Sequence, residues 1–301
     1  MPGRQDKQPD ASAPEVAAAV EPELDIVERR SVDGRVTLLA ARELIVPLVA
    51  RGVLAYAPLT AIDGATPASL FGRGRLVRLE LDGARLLAKT MRHGGLLGSL
   101  LADRFVGDQR ARRLVTLTAE LARRGIATPR FAFARARRQR SGLMRLDFAT
   151  HELADARDGL AFLRSAPPVA ARREAVRAAG RTVRALHDAG VEHADLNVKN
   201  LLVREGPPAE AFVIDLEKSR REPELSRAAA VRNLERLARS IEKLGLRGAE
   251  LPRTDLVRFA RAYGGADWRA WFDAARRRYR AWAPLHRLAW ALGGRAAVTS
   301  A

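Results

Sequence analysis

The chain has no cysteine among its 301 residues, which excludes disulfides and any thiolate metal site and fits a reducing compartment. It has no run of about eighteen apolar residues, so no segment reads as a membrane-spanning helix. The opening stretch, MPGRQDKQPDASAPEVAAAVEPE, lacks the apolar centre of a signal peptide. Acidic side chains are also in short supply: 35 Asp and Glu stand against 53 Lys and Arg, a formal charge of +18. A field of that sign raises the local concentration of negative ligands. Nucleic acid, an acidic membrane surface and a phosphorylated lipid all answer to it, and charge alone does not choose among them.

What the chain does have is apolar content, 47% hydrophobic residues, and enough length to bury a sizeable core. Residues 1–23 are rich in Pro, Ala and acid without periodicity, and read as a disordered tail. Patterning begins at residue 24. RVTLLAARELIVPLVARGV predicts a strand and then a short helix limited by Pro47. FGRGRLVRLELDGARLLAKTMR predicts two strands around an Asp82-Gly83 hairpin turn. A helix follows with Leu114, Leu117 and Leu121 on one face, stopped by Gly125 and Pro129. RFAFARAR and GLMRLDFATHEL are two further strands. Past residue 153 the pattern changes. Residues 171–190 form a long amphipathic helix closed by Gly190, LLV and FVIDL are short strands flanking a turn, and the chain from Glu224 onward is helical in pattern. We therefore expect an α+β chain of two lobes: a strand-rich N-lobe with one helix over 24–153, and a larger helical C-lobe over 154–301.

The stretches HADLNVKNLLV and AFVIDLEKS carry the chemistry. His193, Asp195 and Asn200 have the H-x-D-L-x-x-x-N spacing of a kinase catalytic loop, and Asp215 ends an apolar strand. Phosphoryl transfer needs a carboxylate to orient the acceptor hydroxyl and take its proton, a role for Asp195. It also needs hard oxygen ligands for Mg²⁺, and Asn200 and Asp215 supply an amide oxygen and a charged one. His193 reads as a scaffold residue that bonds backbone near the metal-binding segment. Lys89 in RLLAKT, which follows an apolar run, is the candidate to reach nucleotide phosphates from a strand. Glu120 is the carboxylate of the run 110–124 and is chosen by elimination as its partner. Gly72 and Gly74 read as either a lid over the phosphates or a plain turn, because Val77 stands where a third glycine would complete the loop. Lys199 is either a phosphate contact or a solvated loop residue.

In these stretches the chain resembles the bacterial lipopolysaccharide kinases that act on 3-deoxy-D-manno-octulosonic acid (Kdo), within the protein-kinase-like superfamily. FGRGR, KTMRHGGLLG, LARRGIATPR, and HADLNVKNLLV with VIDLEKS carry the likeness, over roughly residues 68–220. HGGLLG discriminates best, since general kinases have no such segment there. The resemblance implies a bilobal kinase fold, ATP and Mg²⁺ as cofactors, and phosphate transfer to a Kdo hydroxyl on a lipid A precursor. It also implies an anionic glycolipid as partner rather than nucleic acid, and a cytoplasmic protein peripheral on the inner membrane. By matching positions it makes Asp195 catalytic, Asn200 and Asp215 metal ligands and Lys89 the phosphate contact, while Thr116 stands where an acidic residue is expected. Heptose, aminoglycoside and protein, the last as in RIO-like kinases, remain rival acceptors of the same fold, and a non-catalytic anion-binding module is the rival of another class.

The C-terminal run DWRAWFDAARRRYRAW puts Trp268, Trp271, Phe272, Ala275, Tyr279 and Trp282 on one helical face, with arginines opposite. That stripe suits either an anionic bilayer or the packing of the helical lobe, and packing is the reading preferred.

Overall fold

The structure, a computed structural model, describes residues 25–68, 76–81, 83–93 and 103–298, with side chains as far as Pro284. The tail 1–23, Gly72, Gly74 and the GGLLG of the HGGLLG segment lie outside the described residues.

Seven described strands form one antiparallel sheet: β1 (Ile26–Arg30), β2 (Val36–Ala41), β3 (Ala65–Ala68), β4 (Leu76–Leu81), β5 (Ala84–Thr90), β6 (Phe131–Arg138) and β7 (Met144–His151). Their order across the sheet is β1-β2-β6-β7-β5-β4-β3. Leu81 at the end of β4 stands opposite Ala84 at the start of β5, and Gly83 takes φ 77°, as a two-residue hairpin demands; Asp82 lies outside the described residues. Alternation along β4 buries Val77, Leu79 and Leu81 against Leu44, Ile45 and Leu48, in and just before the short helix α1 (Ile45–Ala50). The opposite face is covered by α2 (Gln109–Arg123), whose Leu114, Leu117 and Leu121 pack with Phe131, Leu146 and Phe148. An irregularity between Phe131 and Phe133 sends these two rings to opposite faces, where strict alternation would keep them on one.

With both faces covered, the arginines of FARAR are not solvated. Arg135 and Asp147 are completely buried and Arg137 nearly so. Asp147 Oδ2 accepts from Arg135 Nε (2.9 Å) and Nη2 (2.7 Å) and from Arg137 Nε (3.2 Å), while Thr90 Oγ1 donates to Oδ1 at 2.6 Å.

The second body is helical. A short strand β8 (Ala156–Asp158) leads into α3 (Gly159–Arg164), capped by the Asp158 carboxylate. The long α4 (Val169–Asp188) then crosses the body and stops at Gly190, φ 79°, where a Cβ would run into the carbonyl of Glu222. Two small sheets follow: β10 (Leu201–Arg204) between β8 and β11 (Glu210–Val213), and β9 (Val191–Glu192) against β12 (Arg220–Arg221). Helices α5 (Arg227–Lys243), α6 (Arg253–Gly264) and α7 (Trp268–Val298) complete the body. Where α4 meets α6, Gly180 lets the backbones approach so closely that a Cβ would stand 2.7 Å from the Phe259 carbonyl.

The aromatic stripe of α7 turns inward. Trp271 sits edge-on to Tyr263 at 5.3 Å, Tyr279 is buried, and Trp282 is left exposed. The stripe forms one wall of an apolar cavity of about 620 Å³, which is backed by Val198 and Leu201 and bordered by Phe259 and Tyr263. None of Lys89, Asp195, Asn200 or Asp215 lines it. No helix among the described residues is long and apolar enough to cross a membrane.

Candidate active site

Lys89 pairs across the sheet with Leu76 on one side and Phe148 on the other. Leu86 and Ala88 of the same strand are fully buried, and alternation sends Lys89 to the face that meets the helical body. Asp215 arrives there from β11. It takes the left-handed conformation, φ 62° and ψ 52°, an unusual and strained position for a non-glycine residue. The chain then turns through a single 3₁₀ turn, Leu216–Lys218.

That turn brings two carboxylates onto one ammonium. Lys89 Nζ donates to Asp215 Oδ1 at 2.9 Å and lies 2.7 Å from Glu217 Oε1. Arg110, in the first turn of α2, approaches Glu217 Oε2 at 3.8 Å. Burial disfavours the charge on Lys89, but Glu217 and then Asp215 outweigh it and hold the ammonium above its ordinary pKa. Burial alone would raise the Asp215 carboxyl, and Lys89 more than reverses this, holding it below the usual carboxylate range.

The HADLNVKN loop is laced to the same segment. The Asp195 N–H donates to His193 Nδ1 (3.1 Å), so the ring proton sits on Nε2, which donates to the Ile214 carbonyl (2.9 Å). His193 is fully buried, and burial pushes its pKa down toward a neutral ring. Asn200 Nδ2 donates to the Asp195 carbonyl at 2.8 Å, which leaves its amide oxygen free to turn outward. The Asn200 carbonyl in turn accepts from the Ile214 N–H at 3.0 Å. Asn197 accepts from the N–H groups of Lys199 and Asn200 and so caps the short turn between them. Asp195 itself is exposed, and Lys199 is exposed too.

One residue that the motifs did not disclose anchors the loop from below. Asn233, buried in α5, accepts from the His193 N–H (2.8 Å) and donates to the His193 carbonyl (3.1 Å). Its oxygen also faces His187 Nε2 at 3.2 Å, whose Nδ1 meets the Tyr263 hydroxyl at 2.9 Å. The available signal was an asparagine on the apolar face of an amphipathic helix, among Ala229, Ala230, Leu234 and Leu237.

The expected pairing of Lys89 with Glu120 needs correction. Glu120 lies in the C-terminal part of α2, where Arg123 and Arg124 of its own helix and Arg221 of β12 take it up. Elimination within 110–124 went astray because the partner of Lys89 lies on another element, two residues beyond Asp215.

A lysine on a covered strand faces a loop bearing an exposed carboxylate and a half-buried amide and a strand exit bearing a second carboxylate, across the join of a strand-rich and a helical body. This is the bilobal architecture of the protein-kinase-like phosphotransferases. The model of the lipopolysaccharide kinase (Kdo/WaaP) family matches residues 69–263. The chain belongs to that family and is a kinase. Among its relatives, the "3-deoxy-D-manno-octulosonic acid kinase" of Vibrio cholerae serotype O1 is 32% identical over 186 residues, covering 60% of this chain and 75% of that one. The protein of the same name from Photobacterium profundum is 33% identical over 188 residues, with 60% and 75% coverage. A solved structure, "WaaP in complex with acyl carrier protein", superposes with a TM-score of 0.49 at 23% identity over 71% of this chain and 87% of that one, a likeness too loose to bear on function.

Proposed function

We propose that the protein transfers the γ-phosphoryl group of ATP to a hydroxyl of Kdo carried on a lipid A precursor. The names of the relatives support the sugar, and a charge of +18 suits an acceptor bearing phosphates and carboxylates. The observation that carries the reading is the meeting of Lys89 with Asp215, 126 residues apart in the chain, beside a loop tied to Ile214 through His193.

In this reading the strand-rich lobe over 24–153 holds the nucleotide and Lys89 contacts its phosphates. Asp195 orients the sugar hydroxyl and accepts its proton. Asn200 and Asp215 hold Mg²⁺. The donor set would fit that ion, since one charged carboxylate and one amide oxygen are hard ligands. Held by these two residues, Mg²⁺ would supply charge neutralisation at the transferring phosphate. His193 and Asn233 keep the loop in place from beneath. The arginine-rich C-lobe meets an acidic membrane surface from the cytoplasmic side, bringing the site to its lipid.

The test is phosphate incorporation from radiolabelled ATP with Mg²⁺, comparing a Kdo-bearing lipid A precursor with the same lipid lacking Kdo. Incorporation that requires Kdo supports the reading. Incorporation into heptose-bearing core or into protein, but not into the Kdo lipid, overturns the substrate and keeps the kinase.

A further inference from the structure

The pairing found at Lys89 is unusual in its origin. A phosphate-contacting lysine must be held forward against the pull of its own metal-site carboxylate. The usual means is an acidic side chain on the helix packed behind the strand. Here α2 offers no such group at that place: Thr116 spends its hydroxyl on the Arg112 carbonyl, and Glu120 is engaged by Arg123, Arg124 and Arg221. The helix presents a cation instead, Arg110, and this cation faces Glu217.

We propose that Glu217 is the positioning residue for Lys89, and that Arg110 of α2 is what positions Glu217. This rests on the reading that Lys89 contacts the phosphates of ATP. The geometry has three parts. Glu217 is the less exposed of the two carboxylates on the ammonium, 11% against 43% for Asp215, and it makes the shorter contact, 2.7 Å against 2.9 Å. Its second oxygen stands 3.8 Å from Arg110 Nη2, a long ion pair without a hydrogen bond that still places a cation beside the carboxylate. Arg110 is in turn stacked 5.2 Å over the Phe105 ring, which stacks at 4.3 Å on His93, the first residue of HGGLLG. The consequence is a division of labour between two carboxylates on one turn. A metal held by Asp215 would compete with Lys89 for its carboxylate. Glu217 stays, and keeps the ammonium from following the metal-bound carboxylate or swinging into solvent. The αL turn at Asp215 is what makes both residues reach one nitrogen.

The experiment uses the full chain and ATP as the probe. ATP affinity and the KM for ATP are measured at saturating Mg²⁺, and the Mg²⁺ concentration for half-maximal activity at saturating ATP, for the natural protein and for Glu217→Gln, Glu217→Asp, Arg110→Gln, Lys89→Met and the double variant Lys89→Met/Glu217→Gln. Losing one charge-assisted contact predicts a rise of roughly tenfold or more in the KM for ATP in Glu217→Gln, with the Mg²⁺ requirement unchanged and partial recovery in Glu217→Asp. Arg110→Gln shifts the KM in the same direction by less. In the Lys89→Met background, Glu217→Gln has no further effect, because there is no ammonium left to hold. Thermal melts on each variant show that it is folded, and Glu217→Asp serves if Glu217→Gln is not. A shift in the Mg²⁺ requirement with an unchanged KM for ATP would make Glu217 a metal ligand and overturn the proposal. Additive effects of Glu217→Gln and Lys89→Met overturn it also. If Lys89→Met leaves ATP affinity and turnover untouched, the phosphate-contact reading beneath it falls instead.

Discussion

Replacing Asp147 by Asn keeps the shape of the side chain and removes one charge from the interior of the sheet. Asp147 is fully buried and is the anion shared by Arg135, also fully buried, and Arg137, 5% exposed. The asparagine can still accept from one guanidinium and turn its amide toward Thr90. What it cannot do is balance two buried cations that never lose their protons. Burial and the neighbouring Arg137 already press on Arg135, whose pKa lies below its ordinary value even with Asp147 present. Removing one partner of a buried ion pair costs about 3–5 kcal/mol, because the remaining charge is left uncompensated. Against a total stability of about 5–15 kcal/mol for a globular protein, that is a fifth of the whole or more. Urea denaturation should show the midpoint falling with the slope unchanged. The internal control is Glu210→Gln, which removes a charge from the exposed pair with Arg204 and should cost under about 1 kcal/mol. A loss below about 1 kcal/mol for Asp147→Asn, or a loss equal to that of the control, refutes the claim that this cluster holds the sheet together.

Other outcomes follow from the same structure. Asp195→Asn should lower kcat by roughly a hundredfold to ten-thousandfold with ATP binding retained, and equal loss of binding and turnover would remove Asp195 from the chemistry. Burial lowers the pKa of His187 from 6.5 to about 4, so the unfolded chain takes up the proton first. Stability is therefore intact above pH 6.5 and declines as pH falls toward 4, by about 3 kcal/mol from this residue. Melting curves across that range should show a flatter pH dependence for His187→Gln, and parallel curves would contradict the assignment. Gly180→Ala improves helix propensity by about 1 kcal/mol. It should nonetheless destabilise by about 1–3 kcal/mol, because the new Cβ meets the Phe259 carbonyl at 2.7 Å and the Ala262 methyl at 2.9 Å. A gain in melting temperature would show that α4 and α6 can separate freely.

The parts that were legible in advance are those in which a short stretch of sequence carries its own instructions. Asp82-Gly83 specifies a hairpin, the run of leucines in α2 specifies a buried face, and HADLNVKN followed by VIDL places two loops side by side. What escaped reading depends on which surfaces end up covered. Alternation in RFAFARAR announces two faces of a strand, yet it does not say that α1 and α2 will cover both and enclose Arg135. The partner of Lys89 was sought on the following helix, whereas the left-handed turn at Asp215 delivers Glu217 from the other body. Asn233 looked like one polar residue in a helix until its neighbours placed it beneath His193. In the aromatic stripe of α7, spacing alone could not separate a membrane face from a packing face. Trp271 and Tyr279 prove to pack inward, and only Trp282 of the stripe's large side chains is strongly exposed.

The short ladder of β9 with β12 has a regulatory meaning. Directly after the turn that carries Asp215 and Glu217, Arg220 and Arg221 pair with Glu192 and Val191, and α5 begins at Arg227. Where many kinases insert a long segment that must be ordered by phosphorylation before substrates can enter, this chain is stitched shut to the strand that precedes its own catalytic loop. Nothing in that stretch is long enough to fold away and return. Control that works by ordering such a segment therefore has no element to act on between Asp215 and Arg227.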